Sequence, residues 1–234
     1  MRKRTLRTGG KRKAYFFKLP YWEFMKLRHN LDVIHIEKNV CDNIIGTLLN
    51  DGKSKDNIDA RLDLIDLGLQ PDLHSEKLDN GRYTMPDACF TMSRECKEIL
   101  CSIIKSIKMP YGYASNISRC VDMKDCKFIG LKSHDCHVLL EHLLPLALTS
   151  CYPSNDIMFV VVDLSNFFKS LCSKVLDKTE LDALQEQIVL TLCKMEKLFI
   201  PSFFTIMVHL IVHLVDEAKL GGPLHYRWMY PFER

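Results

Sequence analysis

Ionisable side chains are concentrated in the segment RHNLDVIHIEKNV, residues 28 to 40, whose other residues are typical of a buried helix. A helix that begins at residue 30 would bring Asp32, His35 and Asn39 within reach of one another, while Glu37 would face elsewhere. A carboxylate beside a histidine on a buried face can hold a divalent metal or transfer a proton. The alternative, which the residues alone favour, is an ordinary helix whose polar side carries Asp32, Glu37 and Lys38.

Histidines recur at helical spacing in two later segments, SHDCHVLLEH (133 to 142) and HLIVH (209 to 213). Paired histidines on adjacent turns supply half of a zinc site, and Glu141 shares a face with the first pair. The segments could meet across two helices of a bundle. The candidate metal ligands are His134, His137, His209 and His213. Leu210 stands where the metalloprotease pattern HExxH needs glutamate, so that enzyme class is excluded. The alternative is that these are core histidines that donate hydrogen bonds to carboxylates.

The first residues of the chain are strongly basic, with seven lysines and arginines and no acid between positions 2 and 13. We predict a disordered basic arm over residues 1–13, suited to phosphate contacts or to nuclear import. The candidate DNA-contacting residues are Arg2, Lys3, Arg4, Lys11, Arg12 and Lys13. The alternative is a solvated tail without a partner, because the net charge of +3 creates no global basic field.

The composition is that of an ordinary globular protein, since 47% of the 234 residues are hydrophobic and 26% are charged. Ten cysteines include no CxxC pair, and their scatter without a signal peptide predicts buried free thiols in a reducing compartment. The apolar stretches 157–164 and 199–215 are too short, or too interrupted by histidine and proline, to predict a membrane span. No GxSxG, P-loop or GxGxxG motif indicates a small-molecule substrate or its cofactor.

The spacing of apolar residues predicts a mainly α fold, arranged as an irregular helical array or bundle. The predicted helices span residues 21–49, 60–69, 94–107, 134–148, 156–176, 179–199 and 202–219. Ser93 is a predicted N-cap, TELD at 179–182 resembles a capping box, and the glycine pair 221–222 is expected to end the last helix. Residues 112–130 are predicted to be irregular, and VVVDL (160–164) is the one segment that could form a strand.

Several long strings are distributed over residues 14–234, among them LPYW, RHNLDVIHIEKNVCDNIIGTLLN, YGYASNISRCV, GLKSHDCHVLLEHLLP and MVHLIVHLVDEAKLGGPLHYRWMYPFER. These strings resemble the C-terminal half of plant CACTA (En/Spm-type) DNA transposases. The resemblance implies that residues 14–86 are a helical C-terminal piece of an RNase H-like transposase region. It implies that residues 87–234 are an α-helical, transposase-associated domain of unknown function. It also implies a transposable-element origin, a nuclear location, and DNA or other transposase chains as partners.

In the transposases that this chain resembles, three acidic residues hold two divalent metals, Mg²⁺ or Mn²⁺, which activate the attacking oxygens. The resemblance implies that two of these acids and a zinc-binding CxxC pair lie upstream of the matched region. It implies that Glu37 is the third acid, with Asp32 as the other candidate. One carboxylate cannot organise two such ions. We therefore expect a fragment, shortened at both ends, that holds no catalytic cofactor and is inert towards DNA. The alternative is a non-catalytic helical module that binds protein or DNA.

Overall fold

The computed structural model describes residues 18–27, 30–110, 116–150 and 155–228. The whole predicted basic arm, residues 1–13, lies outside this part of the chain, with its candidate DNA-contacting residues Arg2, Lys3, Arg4, Lys11, Arg12 and Lys13. The chain forms two units, Met1–Asn30 and Leu31–Arg234. In the first unit, the described residues include a short 3-10 helix at Trp22–Phe24.

The second unit is mainly α, which confirms the predicted fold class. Its α-helices are α1 (Val33–Leu49), α2 (Ile58–Leu67), α3 (Arg94–Ser106), α4 (Ser133–Val138), α5 (Leu144–Thr149), α6 (Asn155–Leu171), α7 (Lys178–Leu198) and α8 (Ile206–Gly221). A π-helical turn, Leu139–Leu143, joins α4 to α5. The 3-10 helices are Pro71–Leu73, Ile117–Cys120, Pro201–Phe203 and Leu224–Tyr226. Two antiparallel pairs of short strands complete the unit: β1 (Glu76–Lys77) with β2 (Tyr83–Thr84), and β3 (Val121–Asp122) with β4 (Lys127–Phe128).

Helix α1 lies at the centre of the core and is buried on most of its sides. It packs against α4 and α8, while α6 packs against α5, α7 and the π turn, and α7 packs against α8. A helix that is apolar around most of its circumference is stable only when other elements cover it. Because α1 is covered in this way, a charged residue on its inner faces has no access to water.

One hydrophobic core extends through the second unit, from Val33 to Leu224. The core continues across residue 86, where the resemblance implies a boundary between two regions, residues 14–86 and 87–234. Phe90 lies in the same core as Leu48, and the backbone N–H of Met92 donates to the carbonyl of Leu48 at 3.0 Å. The helices on both sides of residue 86 therefore share their buried surface.

Local capping explains where several helices begin and end. Ser93 caps α3 by accepting a hydrogen bond from the N–H of Cys96, which confirms the predicted N-cap. The capping box predicted for residues 179–182 is wrong, because Asp177 accepts from the N–H of Thr179 and α7 already begins at Lys178. Gly222, with a φ of +77°, ends α8 in a backbone conformation that favours glycine, as predicted.

Two further segment predictions differ from the structure. The helix predicted from residue 21 begins only at Val33, because the carboxylate of Asp32 caps it there. The segment 160–164, which could have formed a strand, lies inside α6. Val160 and Val161 are buried in the helical core, and this packing overrides the preference of β-branched residues for strands.

The two apolar stretches noted in the sequence lie in separate elements of the helical array. Residues 157–164 belong to α6, and residues 199–215 are divided between the 3-10 helix Pro201–Phe203 and the start of α8. Across the described ranges, no helix combines the length and the apolar character that crossing a membrane requires.

Candidate metal centre

Four side chains from distant parts of the sequence converge in the core. Glu37 comes from α1, His137 from α4, Glu141 from the π turn, and Cys172 from the residue after α6. One ligand atom from each residue lies within 4.8 Å of the corresponding atoms of the other three. Within the described part of the chain, this is the one group of histidine, cysteine and acidic side chains that converges so closely. We call it the core cluster.

Glu37 is the most deeply buried member of the core cluster, with a relative exposure of 0%. Its Oε2 lies 2.8 Å from Nδ1 of His137, which is hydrogen-bonding distance. Its other oxygen, Oε1, accepts no hydrogen bond from the residues that the structure describes. Burial raises the pKa of Glu37, and the hydrogen bond and charge of His137 oppose this rise without cancelling it. The carboxyl group is therefore held where its ionised form is unfavourable.

The π turn that carries Glu141 has an identifiable local cause. In a continuous α-helix the carbonyl of Glu141 would accept a hydrogen bond from residue 145, but Pro145 has no N–H to donate. The turn widens instead, so that the N–H of Leu144 donates to the carbonyl of Leu139 five residues earlier. The hydroxyl of Ser165, on α6, donates to the carbonyl of Glu141 at 2.9 Å and replaces the missing partner. The widened turn is thus tied to a neighbouring helix.

His137 lies between the two carboxyl groups of the core cluster. Its Nδ1 is 2.8 Å from Glu37 Oε2 and 3.5 Å from Glu141 Oε1. The ring also meets the indole of Trp228 edge to face, with 5.5 Å between the ring centroids. Burial lowers the pKa of His137, but the hydrogen bond and charge of Glu37 raise it by more, so its pKa lies above the ordinary value. An imidazolium in this position would be stabilised by both acids.

Glu141 and Cys172 are also perturbed by their surroundings. Burial raises the pKa of Glu141 to about 7, although the charge of His137 opposes the shift. Burial, together with the charges of Glu37 and Glu141, raises the pKa of the Cys172 thiol far above its ordinary value. Negative charge is therefore unfavourable at every acidic member of the core cluster. The cluster can hold protons, or a cation that replaces them.

The core cluster does not fit the pair of Mg²⁺ or Mn²⁺ ions that the resemblance implies. Two such ions need several oxygen ligands each, in near-octahedral geometry. The described cluster offers the carboxylates of Glu37 and Glu141, an imidazole nitrogen and a sulfur. Sulfur is a poor ligand for hard cations such as Mg²⁺. The arrangement could hold one borderline metal ion, or it could share protons between the imidazole and the carboxyl groups.

The two acids proposed from the sequence have different surroundings. Asp32 is exposed, caps α1 by accepting a hydrogen bond from the N–H of His35 at 3.2 Å, and does not belong to the core cluster. Glu37 is buried, so the interpretation that placed both acids on a solvated side of the helix is wrong for Glu37. The predicted proximity of His35 and Asn39 is confirmed, because Asn39 Nδ2 lies 3.3 Å from His35 Nε2.

Of the four histidines proposed as ligands, His137 belongs to the core cluster. The ring of His134 lies 6.2 Å from that of His137, measured between centroids, and His134 is not a member of the cluster. His209 and His213 are exposed on α8, with ring centroids 5.2 Å apart, and lie outside the cluster. The alternative prediction, that these are core histidines hydrogen-bonded to carboxylates, agrees with the contact between His137 and Glu37.

Two members of the core cluster were not proposed as ligands from the sequence. Glu141 shares a helical face with His137, and the proline four residues after it marks an irregular turn, so local signals were present. Cys172 carried no comparable signal, because nothing in its neighbourhood separates it from the other buried cysteines. Only the packing of α6 against the π turn brings its sulfur to the cluster.

Comparison with known proteins gives one match. A family model described as "Domain of unknown function (DUF4218)" matches residues 171–234. The matched region contains Cys172, α7 and α8, whereas Glu37, His137 and Glu141 lie before it. No curated protein and no solved structure matches the chain.

Proposed function

We propose that this chain derives from a CACTA-type DNA transposase and that it does not cleave DNA by itself. The strings quoted above support the derivation, since they resemble these transposases over residues 14–234. The match to a domain of unknown function over residues 171–234 is compatible with that origin, but its description names no activity.

The observation that carries the proposal is the environment of Glu37, the candidate that the resemblance gives for the third acid of the transposases. Catalysis by two metals requires carboxylates that clamp both ions beside the reacting phosphate. Among the residues that the structure describes, the group around Glu37 contains one further carboxylate, from Glu141, together with His137 and Cys172. In addition, Glu37 is fully buried, so a DNA phosphate could not approach its oxygen atoms without rearrangement of the core.

A plasmid-nicking assay tests the catalytic part of the proposal. The purified chain is incubated with supercoiled plasmid and Mg²⁺ or Mn²⁺, and we expect no nicking above the level of a protein-free control. The matched control is Glu37→Gln, which keeps the size of the side chain and removes its charge. Nicking by the wild type that this variant abolishes would contradict the proposal, whereas nicking that persists in the variant would indicate a contaminating nuclease.

The derivation is tested at the genomic locus. Exons upstream of this reading frame that encode two further acidic residues and a CxxC pair would support it. Flanking sequence without any such remnant, together with unrelated neighbouring exons, would argue against it.

A second candidate function is a non-catalytic interaction module. Large apolar side chains are exposed on the surface of α6 and α7, among them Phe159 and Leu190, and the charged residues Asp156, Lys194 and Lys197 lie near Phe159. Exposed apolar groups rimmed by charges of both signs are compatible with a protein partner. Binding of DNA with a steep dependence on salt would favour a DNA partner, and binding that salt barely changes would favour a protein partner.

A further inference from the structure

The geometry points to a zinc site in the core cluster, with one Zn²⁺ bound by Glu37, His137, Glu141 and Cys172. This inference goes beyond the proposed function and does not depend on it. It concerns metal binding by this chain and implies no reaction on DNA.

The first support is that two buried oxygens lack hydrogen-bond partners among the described residues. Oε1 of Glu37 and Oε1 of Glu141 both accept no hydrogen bond from the described residues, and the two side chains are only 1% and 6% exposed. Buried polar atoms are nearly always paired, because water is lost as a partner when they are covered. Both oxygens belong to the same cluster, so one bound cation would satisfy them together.

The second support is distance. Zinc bonds of 2.0–2.3 Å place the ligand atoms of a tetrahedral site about 3.3–3.8 Å apart. The four ligand atoms here already lie within 4.8 Å of one another, and the contact between His137 and Glu37 measures 2.8 Å. Small side-chain rotations would complete the tetrahedron.

The third support is the chemistry of the ligands. Imidazole nitrogen, carboxylate oxygen and thiolate sulfur are all established zinc ligands, and sulfur selects against Mg²⁺ and Ca²⁺. The cluster thus discriminates between the hard ions of transposase catalysis and a borderline ion such as zinc. The number of protein ligands, four, suits a closed structural site, in which no position is left for water.

The fourth support is that rigid elements hold the ligands. α1 and α4 pack against each other, and the π turn packs against α6. Ser165 anchors the main chain of Glu141 from α6 at 2.9 Å. π turns of this kind occur frequently at functional sites, since the extra residue redirects a side chain. Residues such as Ser165, which hold a ligand in place without binding the metal, commonly affect metal affinity.

Metal analysis of the purified 234-residue chain tests the inference. The protein is stripped with chelator under reducing conditions and then titrated with Zn²⁺, and bound metal is counted after removal of excess. We expect one zinc per chain. Titration with Co²⁺ in place of Zn²⁺ should produce the absorption band that thiolate-to-cobalt charge transfer causes. Failure of the wild type to retain stoichiometric zinc would overturn the inference.

Variants locate the ion. Cys172→Ser should lose the cobalt–thiolate band, and Glu141→Gln, which keeps the size of the side chain, should weaken zinc binding by about tenfold or more. The matched controls are Cys193→Ser, an exposed cysteine on α7, and His213→Ala, an exposed histidine on α8, and both should bind as the wild type does. Zinc that survives Cys172→Ser and Glu141→Gln but is lost in His213→Ala would place the site elsewhere and overturn the inference.

A failure of the zinc inference can be distinguished from a failure of the proposed function, because different experiments test them. Plasmid nicking measures cleavage, and the metal titration measures occupancy without DNA. Circular dichroism of Glu141→Gln shows whether the variant is folded. If it is not, the decisive measurements are the wild-type stoichiometry and the cobalt spectrum, which need no variant.

Discussion

The histidine pair on α8 and the core cluster both contain groups that can bind zinc, but they differ in whether other ligands converge on them. His209 and His213 have the spacing of a zinc half-site, yet both are exposed and lie outside the cluster. Glu37 and His137 are one hundred positions apart in sequence and lie 2.8 Å apart in the core. Spacing within one helix supplies at most two ligands. Whether a site forms depends on what the neighbouring helices bring to that face.

The largest expected effect comes from removing the histidine of the core cluster. His137→Ala leaves the buried carboxyl of Glu37 without its hydrogen-bond partner, and breaking such a buried pair is expected to lower the free energy of unfolding by about 3–5 kcal/mol. Urea denaturation at neutral pH measures the loss. In a Glu37→Gln background the same substitution should be less harmful, because no charge is then left unpaired. Equal losses in both backgrounds would mean that the contact is not the cause.

The pH dependence of stability should reveal Glu141 next. Its pKa rises from 4.5 to about 7 in the folded chain, chiefly through burial. In this interval the folded state binds more protons than the unfolded state, so stability falls as the pH rises. The free energy of unfolding of the zinc-free protein should decrease by an amount on the order of 3 kcal/mol between the two pKa values.

Denaturation curves measured at several pH values in the presence of chelator give this slope. Glu141→Gln should reduce it, since glutamine does not titrate, whereas the raised pKa values of Glu37 and His137 leave a smaller slope of the same sign. A slope of unchanged size in that variant would show that other groups are responsible. Added zinc should stabilise the protein more at pH 8 than at pH 5, because its ligands bind in their deprotonated forms.

A smaller effect is expected at the anchor of the π turn. Ser165→Ala leaves the carbonyl of Glu141 without its donor, which should lower the free energy of unfolding by about 1–2 kcal/mol. Pro145→Ala restores an N–H four residues after Glu141. If the missing N–H is the reason for the contact, Ser165→Ala should be nearly neutral in that background. Additive losses in the double-mutant cycle would contradict this explanation of the turn.

The smallest effect should come from the exposed pair on α8. The double substitution His209→Ala/His213→Ala is expected to change the free energy of unfolding by less than about 0.5 kcal/mol, since exposed side chains without special contacts contribute little. Zinc stoichiometry should also stay the same. A large loss of stability or of bound zinc would contradict this prediction. It would show that the exposed pair on α8 stabilises the fold or binds the metal.

Local features of the fold were accessible from the sequence because they depend on neighbouring residues. Ser93 and Gly222 act within one turn of the helices that they end, so their types were enough to predict their roles. The start of α7 was misjudged because two capping patterns overlap, and Asp177 competes successfully with Thr179. Glu37 was singled out by resemblance, but its direction into the core was not predicted.

The amino-acid sequence by itself determined the mainly α class and most helix ends, since apolar periodicity and capping are short-range properties. It also placed a proline where the chain after Glu141 cannot continue as a regular helix. Only the tertiary structure decided that Glu37, His137, Glu141 and Cys172 meet. Their meeting depends on how α1, α4 and α6 pack, and packing sums many weak apolar contacts over the whole chain. No short segment contains that information.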